Sequence, residues 1–322
     1  MDRKHFHNRV QAKTMGEARR LVEAPVNEKL SPRQRLECCL RISELIAKMA
    51  THVISHVIVD HQDLLVQERL SVANAFVQRV TSTHLCNHKL TKEGIVYHYK
   101  GETFRLHEEF KTMTLTRSVY EHLAMFYFLF FHPKTQEEQA IVWYYWKINS
   151  KKNLLGYEAD GEELTKDDQD KARGQIEQLR AAIFGTETGR RCRHKLDEWT
   201  KTGAPGQNGS IEFFENQGKT DVRRLTYGQA WKYLFDHDDM TLLYRHLSMH
   251  CHPVYDGLLQ YQRQALSDEG YDGIPLYLSS CFLAYLCRLF LGLVPGGDKM
   301  FDDDFTPQER YVFSRLAQAP SS

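Results

Sequence analysis

The feature that most constrains the fold is an apolar repeat at helical spacing in residues 31–60. Ser31 followed by Pro32 is typical of a helix start, since a serine hydroxyl caps free N–H groups and proline fits the first turn. Apolar or small residues then recur at steps of three or four: Leu36, Cys39, Ser43, Ile46, Ala50, Val53 and Val57. Because this spacing places them on one face, the sequence predicts a long helix that buries that face.

Similar patterns predict helices along most of the chain. They fall at 62–85, 115–133, 135 to about 157, 166–184, 227–236, 239–252, 254–266, 275–294 and 307–317. The period breaks at 94–106, where two β-prone runs flank Lys100 and Gly101, which indicates a small hairpin. The predicted fold is therefore an all-α, multi-helix bundle with one peripheral β-hairpin.

The length of 322 residues fits one continuous helical domain spanning 1–322. A division into an N-terminal helical part, 1–90, and a core, 110–322, is the alternative. Residues 201–220 are rich in Gly, Asn and Thr, which predicts a mobile loop.

Composition favours a cytoplasmic protein. Lys and Arg together number 42, as do Asp and Glu, so the net charge is zero and non-specific coating of nucleic acid is disfavoured. Seven cysteines lie scattered without a Cys-x-x-Cys pair, which is typical of a reducing compartment. The first residues lack the apolar run of a secretory signal.

One stretch, 276–294, is apolar and long enough to cross a bilayer. Arg288 lies inside it, and a charged residue in mid-span is costly. A buried core helix is therefore the preferred interpretation, and no membrane partner is expected.

The candidate site is "YRHLSMHCHP", residues 244–253. On a helix Tyr244, Ser248 and His252 share one face, because they are four residues apart. Arg245 and His252 are seven apart and also fall on one side. Pro253 disfavours helical backbone at His252, so the helix is expected to end there, where its dipole favours the cationic histidine.

Such a set suits RNA cleavage without a metal. The 2′-hydroxyl must lose a proton to attack the phosphorus, and the leaving 5′-oxygen must gain one. Histidine titrates in the right range for either step, and arginine offers paired donors to the phosphate oxygens. Arg245 would bind phosphate, and His252 or His250 would transfer protons.

Arg245 and His246 followed by His250 or His252 resemble the Arg-x4-6-His motif of the HEPN superfamily, with its polar residue directly after the arginine. This resemblance implies an all-helical, dimeric fold and a metal-independent ribonuclease of a toxin–antitoxin or anti-phage system. It implies RNA, a second copy of the chain, and an antitoxin or defence-system protein as partners. HEPN nucleases often carry tyrosine two residues after the histidine, whereas Cys251-His252 and Pro253-Val254 follow here, so the catalytic histidine stays open. A second such pair joins Arg117 to His122.

A longer pattern combines Arg117-x3-Glu121 with Tyr244-x3-Ser248-x3-His252-Pro253. It is similar to an uncharacterised family of bacterial helical proteins, over residues 115–155 and 228–265. We hypothesise that Glu121 anchors His252 or Arg245, while Arg117 contacts phosphate or Ser248. A half-buried ion pair between Arg117 and Glu121 is the structural alternative.

Other functions receive less support from the sequence. His52-x3-His56 and His84-x-Cys86-x-His88 have metal-ligand spacing but lack the acidic partner of a His-Glu-x-x-His motif, so no metal is expected. No nucleotide or cofactor loop is recognisable, and no cofactor is expected. The aromatic run 143–146 favours core and dimer contacts over base stacking. A non-catalytic helical binding or scaffold protein, with the polar residues as a buried network, is the alternative to the nuclease.

Overall fold

The computed structural model describes residues 14–57, 63–106, 109–156, 165–202, 210–229, 231–234, 244–248 and 273–318. Helices dominate these residues, and the strands form two-stranded antiparallel hairpins. The prediction of an all-α bundle with a small hairpin near 94–106 is confirmed.

Three helices form the N-terminal part of the chain: α1 (Met15–Glu23), α2 (Pro32–His56) and α3 (Leu64–Glu93). The predicted start of α2 is confirmed, since Ser31 and Gln34 form a reciprocal capping box. The helix α3 runs further than predicted and ends where Gly94 adopts a positive φ of 67°. The short helix α1 was not predicted.

The predicted hairpin consists of β1 (Ile95–Tyr99) and β2 (Glu102–Leu106). Tyr99 pairs with Glu102, so Lys100 and Gly101 form a two-residue turn. Both have positive φ, 52° and 83°, as the turn that matches the twist of a hairpin requires. This turn explains why the Lys-Gly pair located the hairpin correctly.

Five helices follow: α4 (Glu109–Phe130), α5 (Gln136–Leu155), α6 (Lys166–Gly185), α7 (Glu187–Arg191) and α8 (Arg193–Thr200). The helix α4 ends three residues before Pro133, the predicted stop, and a Thr135–Glu138 capping box begins α5. In the aromatic run, Trp143 and Tyr145 are buried as core residues.

A second hairpin, β3 (Ser210–Asn216) and β4 (Lys219–Leu225), occupies part of the predicted loop 201–220. The loop prediction is wrong for residues 210–220, and residues 203–209 lie outside the described residues. Gln217 and Gly218 form a tight turn here, with φ values of 52° and 72°. Burial of Ile211, Phe213 and Val222 stabilises the strands.

The last described elements are α9 (Trp231–Leu234), a helical segment at 244–248, α10 (Ile274–Leu293) and α11 (Pro307–Leu316). The helices predicted at 275–294 and 307–317 are confirmed. At 227–236 the structure has a 3-10 turn, Tyr227–Gln229, and then α9. The helix predicted at 254–266 and most of that at 239–252 lie outside the described residues.

The chain divides into two compact units. The first unit comprises residues 1–123 and 235–322, and the second unit comprises 124–234. The predicted division into 1–90 and 110–322 does not coincide with them, because α10 packs on α2 and α3 from the N-terminal part.

The apolar helix α10 lies in the core of the first unit. By length and hydropathy it is the one helix among the described residues that could cross a bilayer. It packs instead against α2 and α3, with Leu283, Leu286 and Phe290 fully buried. Arg288 is exposed, and its guanidinium donates to the carbonyl oxygen of Ala317 at 3.1 Å. These contacts favour the core helix over the membrane span.

A chain of polar side chains crosses this core. The His84 ring lies 2.9 Å from the Ser43 hydroxyl through Nε2 and 2.8 Å from the Ser279 hydroxyl through Nδ1. His88 Nδ1 contacts the same Ser43 hydroxyl at 3.0 Å, and His88 Nε2 lies 3.7 Å from a Glu44 carboxylate oxygen. Burial lowers the pKa of His84 to about 4, outweighing its bond to the Ser43 carbonyl.

These contacts also bear on the metal spacings. His84 and His88 both bond Ser43, and Cys86 is exposed. His52 bonds the Met300 carbonyl and stacks on His56. Within the described ranges no group of three His, Cys, Asp or Glu residues is arranged to hold a metal ion.

We predict that His84 makes stability fall in acid. Its folded pKa lies below the unfolded value of 6.5, so the folded state binds fewer protons between pH 6.5 and 4. Stability should therefore be highest above pH 6.5 and decline as pH falls toward 4, by roughly 3 kcal/mol from this group. Chemical unfolding of wild type and His84→Gln across this range measures how steeply the free energy of unfolding falls with pH in each protein, and the slope should be smaller in His84→Gln.

His98→Gln is the control, because His98 is exposed in the same unit. It should keep the wild-type slope. Equal slopes in wild type and His84→Gln would contradict the assignment.

Candidate functional site

Three residues of the predicted motif meet in the first unit. The Arg117 Nε donates to Glu121 Oε1 at 2.8 Å, one helical turn along α4. The Tyr244 hydroxyl donates to the same oxygen at 3.3 Å. The Arg117 guanidinium also lies over the Tyr244 ring, 5.5 Å from its centre. We call Arg117, Glu121 and Tyr244 the Arg–Glu–Tyr network.

The network is partly shielded from water. The side chains of Arg117 and Glu121 are 20% and 27% exposed. The Tyr244 ring packs 5.3 Å from the buried ring of Tyr120, which in turn packs on Phe282 of α10. Burial and then the Glu121 charge raise the pKa of Tyr244, while Arg117 lowers it. Tyr244 therefore keeps its proton at neutral pH and serves as a donor.

The helical segment 244–248 presents its other residues in different directions. Leu247 is buried, and the Ser248 hydroxyl donates to the Tyr244 carbonyl at 2.7 Å. Arg245 is exposed, and it forms no hydrogen bond or ion pair with another residue that the structure describes. The segment thus anchors Tyr244 inward and directs Arg245 to solvent. His250 and His252 lie outside the described residues.

This geometry answers part of the sequence hypothesis. Glu121 anchors Tyr244 rather than Arg245, and Ser248 bonds its own helical turn rather than Arg117. The half-buried ion pair between Arg117 and Glu121 is confirmed. In the second Arg-x4-His pair, His122 lies 2.7 Å through Nδ1 from the Ser118 carbonyl, within the same helix. Any contact of Glu121 with His252 falls outside the described residues.

A second polar cluster lies in the second unit and was not predicted. The Arg223 Nε donates to Glu212 Oε2 at 2.5 Å, and the Tyr233 hydroxyl donates to Glu212 Oε1 at 2.8 Å. A guanidinium nitrogen of Arg223 also donates to the Tyr233 hydroxyl at 3.0 Å. His132 Nε2 lies 3.7 Å from Glu212 Oε1, with its ring against Tyr233. The buried carboxylate therefore has several partners.

The environment of this cluster shifts its pKa values. Burial lowers the pKa of His132, against the opposing effect of Glu212. Burial and the bond to Glu212 raise the pKa of Tyr233. The bonds to Glu212 and Tyr233 raise the pKa of Arg223. The signal in the sequence was cross-strand pairing, since Glu212 stands directly opposite Arg223, but it was hidden by the loop prediction.

The fold and these networks define a helical protein with a half-buried Arg–Glu–Tyr network beside an exposed arginine. Residues 106–271 match a protein family described as a family of unknown function (DUF5677), and they make up just over half of the chain. The protein belongs to this family. The matched range includes α4, Arg245 and both candidate histidines. No curated protein and no solved structure shows a significant match.

We predict measurable coupling between Glu121 and Tyr244. Glu121→Gln, Tyr244→Phe and the double variant form a cycle, and the free energy of unfolding of each is measured in denaturant. The coupling should be about 1 kcal/mol, because one partly buried, charge-assisted bond is removed. As a control, Tyr244→Phe combined with Glu44→Gln should be additive. Additivity in both cycles would contradict the network.

We also predict that Arg223→Met destabilises the protein strongly. Glu212 would remain buried with its charge poorly compensated, which should cost about 2 kcal/mol or more in unfolding free energy. Arg173→Met is a matched control, because both arginines have side chains 55% exposed, but Arg173 pairs with the exposed Asp170. Its loss should cost about 0.5 kcal/mol or less. Equal costs for both variants would contradict the role given to Arg223.

Proposed function

We propose that this protein is a HEPN-like, metal-independent endoribonuclease. The observation that carries the proposal is the exposure of Arg245 beside the anchored Tyr244. A phosphate-binding arginine must reach solvent, whereas a residue of a buried structural network would be enclosed and paired. In the proposal Arg245 binds the scissile phosphate, and His252, or else His250, transfers protons.

The Arg–Glu–Tyr network would act as a positioning element. Glu121 holds the Tyr244 hydroxyl, and Arg117 holds Glu121, so the turn that carries Arg245 is tied to α4. Ser248 closes the same turn through the Tyr244 carbonyl. A fixed turn would keep the guanidinium in register with the phosphate, which is how preorganised donors favour a transition state.

The reaction we infer is transesterification within RNA. The 2′-oxygen gives its proton to a base, attacks the adjacent phosphorus and displaces the 5′-oxygen, which takes up a proton. The products are a 2′,3′-cyclic phosphate and a 5′-hydroxyl end. Arg245 would neutralise the phosphate oxygens as their charge rises.

The biological setting is part of the same proposal. We infer a cytoplasmic effector of a bacterial anti-phage or toxin system that works as a homodimer. An antitoxin or another defence-system protein would control it. These partners follow from the resemblance of Arg245 and the following histidines to the HEPN motif.

A non-catalytic helical binding or scaffold protein is the second candidate. The observation that favours it is the mutual satisfaction of Arg117, Glu121 and Tyr244, which a structural network alone would produce. The two candidates differ in what Arg245 does. Its loss should abolish RNA cleavage if the protein is a nuclease. If the protein is a scaffold, loss of Arg245 should leave it folded and its binding unchanged.

We predict that the wild-type protein cleaves RNA in EDTA and leaves 2′,3′-cyclic phosphate ends. Arg245→Ala should lower the rate at least 100-fold, since the charge that builds on phosphate loses its donor. His252→Ala and His250→Ala are compared to identify the acid–base residue. Arg33→Ala is the matched control, because Arg33 is also exposed and lies on α2.

Folding of every variant is checked by its thermal unfolding midpoint. Cleavage that survives Arg245→Ala unchanged would refute the role of Arg245. Cleavage that requires a divalent ion would refute the metal-independent mechanism. Absence of cleavage in wild type, with Tyr244→Phe destabilised, would favour the scaffold.

A further inference from the structure

Among the described residues, no opposite charge balances a buried lysine in the second unit. Lys152, near the end of α5, is 4% exposed, and its ammonium donates to the Trp199 carbonyl at 2.7 Å. An ammonium carries three donors. In the part of the chain that the structure describes, no carboxylate lies within ion-pair distance of Lys152. Burying a charge in this way is costly unless something compensates it.

Two arginines converge on the same place. The Arg224 guanidinium of β4 lies over the Trp199 ring, 4.7 Å from its centre. Arg180 of α6 donates to Asp197 at 2.8 Å, two residues before Trp199. Burial, and then the charges of Arg224 and Arg180, lower the pKa of Lys152 to about 8. The three cations thus repel one another around α8.

The nearby acidic groups do not balance this charge. Asp197 is shared between Arg180 and Lys201, and Glu177 has a side chain that is 59% exposed. The Nε groups of Arg180 and Arg224 are also buried, and neither has a hydrogen-bond partner among the described residues. Unused donors and surplus positive charge therefore occur together, as they do where a protein binds an anion.

We propose that Lys152, Arg180 and Arg224 form a binding site for a tetrahedral oxyanion of the phosphate or sulfate class. An ammonium beside guanidinium N–H groups matches several oxygens at once, and a multiply charged anion offsets more than one cation. The anion is either free or the terminal phosphate of a larger ligand. This inference goes beyond the ribonuclease proposal and does not rest on it, because it uses none of the residues of that site.

The competing explanation is a carboxylate of the protein itself. Residues 203–209, which follow α8, contain no acidic residue, but residues 158–163 contain Glu158, Asp160, Glu162 and Glu163. Both segments lie outside the described residues. The experiment must therefore distinguish an added anion from these side chains.

The test is a titration of the full chain with inorganic phosphate, and separately with sulfate, in a buffer free of both. Calorimetry and the thermal unfolding midpoint should show saturable binding to wild type. Lys152→Met should raise the dissociation constant at least 10-fold, and Arg224→Gln should also weaken binding. Without phosphate, Lys152→Met should be as stable as wild type or more so, because an uncompensated buried charge is gone.

Lys151→Met is the matched control, since it removes the same charge from the adjacent, more exposed position of α5. It should bind phosphate like wild type. A 5′-phosphorylated oligonucleotide and its unphosphorylated twin distinguish the two sources. If binding needs the 5′-phosphate and is tighter than that of inorganic phosphate, the ligand is a terminal phosphate. If the two oligonucleotides bind equally and inorganic phosphate displaces neither, they bind elsewhere, and the site takes a free anion.

Three results would overturn the proposal. The first is that neither phosphate nor sulfate binds wild type. The second is that Lys152→Met binds phosphate as tightly as wild type does. The third is that phosphate binds only after Glu158, Asp160, Glu162 and Glu163 are all changed to amides, because that result would assign the compensating charge to the chain itself.

Discussion

The first unit depends on the burial of α10. This helix is apolar at most of its positions, Arg288 being an exposed exception, so it must be covered on more than one side. The apolar face of α2 and the helix α3 provide that cover. The contact is close at the start of α10, where a Cβ on Gly273 would lie 3.0 Å from Leu36 Cδ1, at a φ of 78° that disfavours other residues. Tyr120 and Tyr244 reach the same core through Phe282, so the candidate site is built on this packing.

The two units treat buried polar groups differently. In the first unit, serine and histidine side chains satisfy one another while neutral, which avoids the cost of a buried charge. In the second unit, the buried Glu212 carboxylate accepts hydrogen bonds from Arg223 and Tyr233. Lys152 is the contrasting case, since its described partner is a carbonyl and its neighbours are cations. This contrast is the reason that Lys152, and not Glu212, points to a ligand.

The sequence correctly predicted the elements and contacts that are specified by residues close together in the chain. The cap at Ser31, the stripe along α2 and the Lys100-Gly101 turn are local signals, and each located its element. The pair Arg117–Glu121 lies within one helical turn and was likewise foreseeable. The strands β3 and β4 were missed because Gly and Asn were read as a loop. The bond from Tyr244 to Glu121 and the convergence on Lys152 join distant parts of the chain, and no local pattern specifies them.

The polar chain through α2, α3 and α10 has a consequence for its tautomers. The Ser43 carbonyl oxygen can only accept, so His84 carries its hydrogen on Nε2 and accepts through Nδ1 from the Ser279 hydroxyl. The Ser43 hydroxyl accepts from the same His84 Nε2, so it donates its own hydrogen to His88 Nδ1, and a neutral His88 then carries hydrogen on Nε2, the nitrogen nearer Glu44. A single backbone carbonyl of α2 thus selects which nitrogen bears the hydrogen in two imidazoles of α3.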